Sequence, residues 1–184
     1  MTWQDINEQQ KQAHKFEFDY GPLLDFILSK LPSNPLVVEL GTFMGCSAVY
    51  LLQNPVMAAA RMYTVDTFLH YAGRQNFFIE SAKNFKACGC RDRIRMLTCL
   101  SWEAACLFDE QEVDFVWIDA GHSFANCSRD IEAWQSKIKP GGFLAGHDLS
   151  EAGVLLAVEK FCFATGRTHN VFNPTGWKSW WIQL

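Results

Sequence analysis

The sequence predicts an α/β fold with a mostly parallel sheet, and three observations carry that reading. Short apolar runs alternate with stretches of helical apolar spacing from residue 36 onward, the pattern of parallel strands joined by crossover helices. The opening stretch, residues 36–52 (LVVELGTFMGCSAVYLL), passes from an apolar run through a glycine turn into a helix start. Such a turn presents backbone N–H groups to a ligand at a strand's C-terminal end. Glu39, Asp66, Asp119 and the pair His147 and Asp148 fall at or near the ends of four strand-like runs. Polar residues gather wherever strands leave a core, but four strands ending this way point to one shared rim, where parallel sheets bind ligands.

Residues 1–18 are polar with scattered aromatics and fit either a helix or an arm. Residues 22–31 have helical spacing, with Asp19 as an N-terminal cap and Pro22 near the first turn; Pro32 and Pro35 end that segment. Residues 36–40 are aliphatic and bounded by Pro35 and Gly41, a buried strand. A helix follows over 47–53, stopped at Asn54 and Pro55. Residues 61–67 are a second strand, 70–87 a loop and then a helix closed by Gly89, and 93–99 an alternating third strand. Residues 101–108 read as a helix capped by Ser101, with Glu103 in its first turn. Residues 113–120 (VDFVWIDA) are a fourth strand, and 124–138 a helix through Ile131, Trp134 and Ile138. Lys139-Pro140-Gly141-Gly142 reads as a sharp turn before a fifth strand at 143–146. A helix over 151–164 takes Ser150 as its cap, and two last strands, 168–173 and 177–184, flank Pro174-Thr175-Gly176. On the last of these, Trp177 and Trp181 share one face and Trp180 takes the other, which suits core or subunit contact. No repeat or low-complexity linker divides the chain, so residues 1–184 read as one domain, its core running from about residue 36.

Of 184 residues, 49% are hydrophobic, enough for a large core. The formal net charge of −4 and the lack of a basic block argue against nucleic acid as a partner. No apolar run approaches the roughly 18 residues that span a bilayer, and residues 1–20 have no apolar signal core. These readings place the chain in the cytoplasm, away from the membrane. Seven cysteines without a secretory signal read as reduced thiols. Cys88 and Cys90 are the only close pair, and no further ligands stand at a spacing that would complete a metal site with them.

The Gly41-x-x-x-Gly45 spacing is neither the dinucleotide fingerprint nor a P-loop. The stretch E-L-G-x-x-x-G-x-S, from Glu39 to Ser47, resembles instead the first motif of class I S-adenosylmethionine (SAM) dependent methyltransferases. The rest of the chain extends the resemblance: Asp66 after the second strand, DFVWIDAGHSF in the fourth, KPGG before the fifth, AGHD at its end, and a closing hairpin. The D-x-x-H-S-[YF], KPGG and GHD series is similar to a family of small O-methyltransferases of sugars and other natural products. The resemblance implies a Rossmann-like, mostly parallel seven-stranded sheet with an antiparallel C-terminal strand and helices on both faces. It implies a SAM site across Glu39, Gly41, Thr42, Phe43, Gly45, Ser47, Asp66, Thr67, Ser101, Trp102 and Asp119. Within that site Ser47 would meet the SAM carboxylate, Asp66 would accept the ribose hydroxyls, and Ser101 with Trp102 would flank the adenine. Asp66 also reads as a turn cap, and Trp102 as core.

Methyl transfer to a hydroxyl needs an aligned acceptor and a group that takes its proton, either a base or a metal. His122, two residues beyond the fourth strand, is the candidate base, with Asp119 beside it; the other reading of His122 is a cap for the following helix. Asp119 and Asp148 end neighbouring strands of the expected sheet and, with His147, form a candidate metal site. The resemblance implies a divalent metal there, as in several related O-methyltransferases whose oxygen-rich sites suit magnesium, whereas an imidazole suits manganese, zinc or iron better. Asp130 and Trp134 match the family pattern as bracing residues, and His70 is a further histidine near the rim. The expected partner is a small-molecule acceptor. The pocket is closed by a small acceptor alone, or by residues 1–20 and a second subunit of a homo-oligomer. Two other readings stay open: a metal-dependent hydrolase or oxygenase using Asp119, His122, His147 and Asp148, and a SAM-binding module without turnover.

Overall fold

A computed structural model describes residues 1–69, 76–174 and 176–184. Helices α1 (Trp3–His14) and α2 (Gly21–Leu28) precede strand β1 (Val37–Leu40) and helix α3 (Cys46–Gln53). Then come β2 (Met62–Val65), α4 (Phe77–Ala87), β3 (Ile94–Leu97), β4 (Val113–Ile118), α5 (Phe124–Trp134), β5 (Ile138–Gly146), α6 (Ala152–Thr165), β6 (Asn170–Phe172) and β7 (Ser179–Gln183). The strands form one sheet in the order β3-β2-β1-β4-β5-β7-β6. β1 to β5 pair in parallel, and β7 runs antiparallel to both its neighbours. This is the seven-stranded, mostly parallel sheet expected from the sequence.

Strand alternation sorts the core into two layers. Val37, Phe115, Trp117, Phe143 and Ala145 face α1 to α4, while Val38, Leu40, Val116, Ile118, Leu144 and Trp180 face α5 and α6. Trp180 is fully buried and Trp181 packs against the opposite layer, so these two residues do split across the sheet. Residues 1–20 are structural rather than a loose arm. Trp3 meets Phe18 and Tyr50 edge-on at 5.3 and 5.1 Å, and its carbonyl accepts from Cys46 Sγ. All seven cysteines are free thiols.

Several local readings are corrected. Residues 101–108 begin as a turn and hold only a short 3₁₀ helix, Ala104–Leu107. The helix expected over 124–138 ends at Trp134, and a 3₁₀ turn follows. KPGG is a bulge inside β5 rather than a turn before it. Val113 pairs with Ile138, but Phe115 pairs with Phe143, so the extra residues bow out of the ladder. Gly141 N–H reaches the Leu184 carbonyl, and the glycines let the bowed segment lie against the C-terminus. Asp19 does not cap α2, whose N-cap position is Tyr20. The N-cap of α6 is Glu151, while Ser150 Oγ donates to the Gly176 carbonyl.

The bulge is anchored by a buried carboxylate. Asp114 in β4 accepts the Leu36 N–H at 2.8 Å and pairs with Lys139 at 2.9 Å, tying the approach to β1 to the start of β5. Asp114→Ala should lower stability by about 1–3 kcal/mol, because it leaves the Leu36 N–H without its partner. Urea denaturation would measure this, and Lys139→Ala should also destabilise, because it leaves the buried Asp114 carboxylate without its cation and Oδ1 without its donor.

Candidate active site

The turn between β1 and α3 is shaped by close backbone approach. Gly41 has φ +94°, and a Cβ there would lie 1.9 Å from the Asp119 carbonyl oxygen; only glycine permits both. Thr42 and Phe43 donate their N–H groups to Asp66 Oδ2 at 2.9 and 3.1 Å, and Phe68 donates to Oδ1 at 2.8 Å. Asp66 therefore caps the turn, the plainer of its two sequence readings. Beneath the turn Glu39 is wholly buried and accepts the Ser47 hydroxyl proton. With that proton committed, Ser47 has none to give a ligand carboxylate in this arrangement. Burial pushes the Glu39 carboxyl up to about 8; Ser47 opposes the shift, and Asp119 and Asp66 add to it.

The rim lies where β4 and β5 end side by side. His122 Nε2 stands 3.0 Å from Asp148 Oδ2 and 3.9 Å from Asp119 Oδ1. These three residues offer ligand atoms within 4.8 Å of one another, the only such group among the described residues. The sequence had placed His147 in that set. Its Nδ1 instead lies 3.3 Å from Asp148 Oδ1 and its Nε2 3.8 Å from Asp19 Oδ1, behind the cluster. His122 does not cap α5, because Ser123 Oγ takes the Asn126 N–H. Gly153, in the first turn of α6, admits the loop: a Cβ there would lie 2.4 Å from the His122 carbonyl.

The described acids and imidazoles of this rim shift one another. The Asp148 hydrogen bond raises the His122 imidazole above its ordinary value despite burial. Burial would lower His147, but Asp148, Asp119 and Asp19 outweigh it and hold the ring at about 9. Burial would raise Asp148, but hydrogen bonds from the two histidines hold it well below the usual carboxylate range. Asp119 is raised by burial, with His147 opposing and Asp148 adding.

Ser101 and Trp102 lie in the turn beyond β3. Trp134 Nε1 donates to the Ser101 carbonyl at 2.9 Å, and the Arg129 guanidinium covers the half-buried Trp102 ring at 5.1 Å. Asp130, fully buried beside them, is pushed up to about 7 by burial, with Ser101 opposing. Of the two bracing residues expected from the sequence, Trp134 is the one whose hydrogen bond holds this loop. Thr67 is half-buried next to Asp66. His70 lies outside the described residues. Asp19 and Tyr20 were missed as rim residues. Tyr20 Oη donates to Asp119 Oδ2 at 3.1 Å across 99 positions of sequence, and no local pattern announces such a contact.

The sheet order, the glycine turn after β1 and the acid-and-imidazole rim define a Rossmann-like methyltransferase fold. The family described as a methyltransferase domain matches residues 38–149, and the chain belongs to that family. Membership speaks against the hydrolase and oxygenase readings. No curated protein matches the chain. Among solved structures it is similar to the O-methyltransferase TomG from Streptomyces achromogenes, involved in tomaymycin synthesis and solved with SAM (TM-score 0.70, 15% identity, 99% of this chain and 88% of that one). It is similar to cofactor-bound Rv0187 from MTB (TM-score 0.76, 15% identity, 98% and 88%). It also resembles CalS11, a TDP-rhamnose 3'-O-methyltransferase of calicheamicin biosynthesis (TM-score 0.64, 15% identity, 89% and 76%). No helix among the described residues is long and apolar enough to cross a membrane.

Glu39 makes the fold pH-sensitive in a definite direction. Its folded value lies above its unfolded one, so between the two the folded state binds more protons and stability falls as pH rises. The melting temperature of the ligand-free protein should decline from about pH 5 to pH 8 more steeply than that of Glu39→Gln, read by scanning calorimetry.

Proposed function

We propose that this chain is a SAM-dependent O-methyltransferase acting on a hydroxyl of a small molecule, with His122 as the general base. The observation that carries the reading is His122 itself: its side chain is 45% exposed at the rim, and its Nε2 is held 3.0 Å from Asp148. Exposure lets an acceptor reach the ring, and the carboxylate makes it more basic.

The residues present fit SAM. Gly41 and Gly45 let the turn pack against the Asp119 carbonyl and the Phe85 ring, which sets its backbone at the ends of β1 and β4 where a ligand would lie. Glu39, Asp66 and Asp119 surround it with carboxylates, which suits the ammonium and sulfonium charges of the cofactor. Glu39 Oε2 is buried without a hydrogen-bond partner, and a nearby cation would favour its ionised form. Asp66 Oδ2 already takes two backbone N–H groups and Oδ1 one, which leaves acceptor capacity on Oδ1 for a ribose hydroxyl. Bound SAM supplies an electrophilic methyl group. The chain's part is to orient the acceptor and take its proton at His122, with Asp148 stabilising the imidazolium that forms. Ser101 and Trp102 would flank the adenine, and Thr42, Phe43 and Thr67 would line the remainder. The sugar chemistry in the name of CalS11 supports a polyhydroxylated acceptor.

A second reading rests on the Asp119, His122 and Asp148 cluster. Two carboxylates and one imidazole fit a divalent cation such as manganese, which would lower the acceptor hydroxyl's pKa as a Lewis acid. Dialysis against EDTA separates the two. Turnover lost and then restored by Mn²⁺ would make the three residues ligands, and unchanged turnover would leave His122 as the base.

The wild-type protein should bind S-adenosylhomocysteine (SAH) in calorimetry. It should release SAH from SAM when offered a panel of catechols, flavonoids and nucleotide sugars. His122→Ala should keep SAH affinity within about twofold and lose at least about 100-fold in turnover. Parallel loss of SAH binding would make His122 structural, and binding without turnover on any acceptor would favour the non-catalytic reading.

A further inference from the structure

Tyr20 is buried at the rim, its ring stacked on Trp117 of β4 (4.8 Å between centroids, 28° between planes) and 4.8 Å from the His147 ring. A phenylalanine would pack in much the same place, so packing does not account for the hydroxyl. That hydroxyl donates to Asp119 Oδ2 at 3.1 Å, and Oδ1 is then the oxygen turned toward His122. Asp148 shows the same division of labour: His147 stands at Oδ1, and Oδ2 faces His122. Each carboxylate beside His122 thus has one oxygen held from behind and one presented. A carboxylate rotates easily about its terminal bond, so a fixed donor on one oxygen decides where the other points.

We propose that Tyr20 is a positioning residue, whose hydroxyl fixes the rotation of Asp119 so that Oδ1 stays presented toward His122 and the pocket where the cofactor would lie. The role rests on the methyltransferase reading above. It also makes the segment between α1 and α2 a fixed wall of the site: Asp19, the residue before, stands 3.8 Å from His147.

The test is calorimetric titration with SAH of the full-length wild type, Tyr20→Phe, Asp119→Asn and the double variant, with Trp117→Phe as a packing control. Tyr20→Phe should bind SAH about five- to tenfold more weakly, part of the worth of one hydrogen bond to a charged group. The double variant should bind no more weakly than Asp119→Asn alone, because two residues acting through one contact do not add. Trp117→Phe should lower the melting temperature yet keep SAH affinity within about twofold. Wild-type affinity in Tyr20→Phe, multiplied losses in the double variant, or an equal loss in Trp117→Phe would each overturn the role. A wild type that does not bind SAH would sink the methyltransferase reading, and this role with it.

Discussion

The site depends on the closeness of two strand ends. β1 and β4 are adjacent and in register, so the chain leaving β1 at Gly41 passes directly against the backbone leaving β4 at Asp119. A side chain at position 41 has nowhere to go, and the positive φ turns the following N–H groups toward Asp66. One steric fact thereby couples three strands: β1 supplies the turn, β2 the carboxylate that caps it, and β4 the wall behind it. The parallel sheet brings these ends together whatever the acceptor, which is why such folds place ligands there.

Crowding carboxylates at one edge has an electrostatic consequence. Among the described residues, Glu39, Asp66, Asp119 and Asp148 gather at an edge where His122 and His147 are the imidazoles that answer them. Burial decides which acids are compensated. Asp148 has both imidazoles and stays ionised, while Glu39 has a hydroxyl for company and holds its proton. Among the described residues, the ligand-free rim is therefore short of positive charge at Glu39 and supplied with it at Asp148. A cationic ligand relieves the first without disturbing the second, which separates binding from proton transfer in space.

Strand ends were legible in the sequence because buried parallel strands are written as aliphatic runs and their exits as acids. Glu39, Asp66, Asp119 and Asp148 each follow from that pattern. Local turns were less legible. KPGG carries strong turn residues, yet Lys139 is held by Asp114 and the glycines by the C-terminus, so the ladder closes around them as a bulge. Ser101 looks like a helix cap, but its carbonyl is taken by Trp134 and the segment stays a turn. In both cases a partner far along the chain overrides the local preference. His147 and His122 were exchanged in the expected metal set for a related reason: adjacency to Asp148 in sequence does not say which ring nitrogen faces the same opening.

The N-terminal residues show the limit of reading outward from motifs. Nothing in residues 1–20 has a periodic or catalytic signature, and Asp19 resembles an ordinary helix cap. Their place is set by aromatic packing, with Trp3 on Tyr50, Phe18 on Tyr20, and His14 and Phe16 edge-on to Phe43 of the glycine turn. Phe43 itself has positive φ, a costly conformation for a bulky side chain. These contacts give its ring a packed environment in that conformation. The aromatic residues of the N-terminal segment therefore serve the fold and the site together. They cover the first layer of the core, and in doing so they carry a hydroxyl and a carboxylate to the ends of β4 and β5.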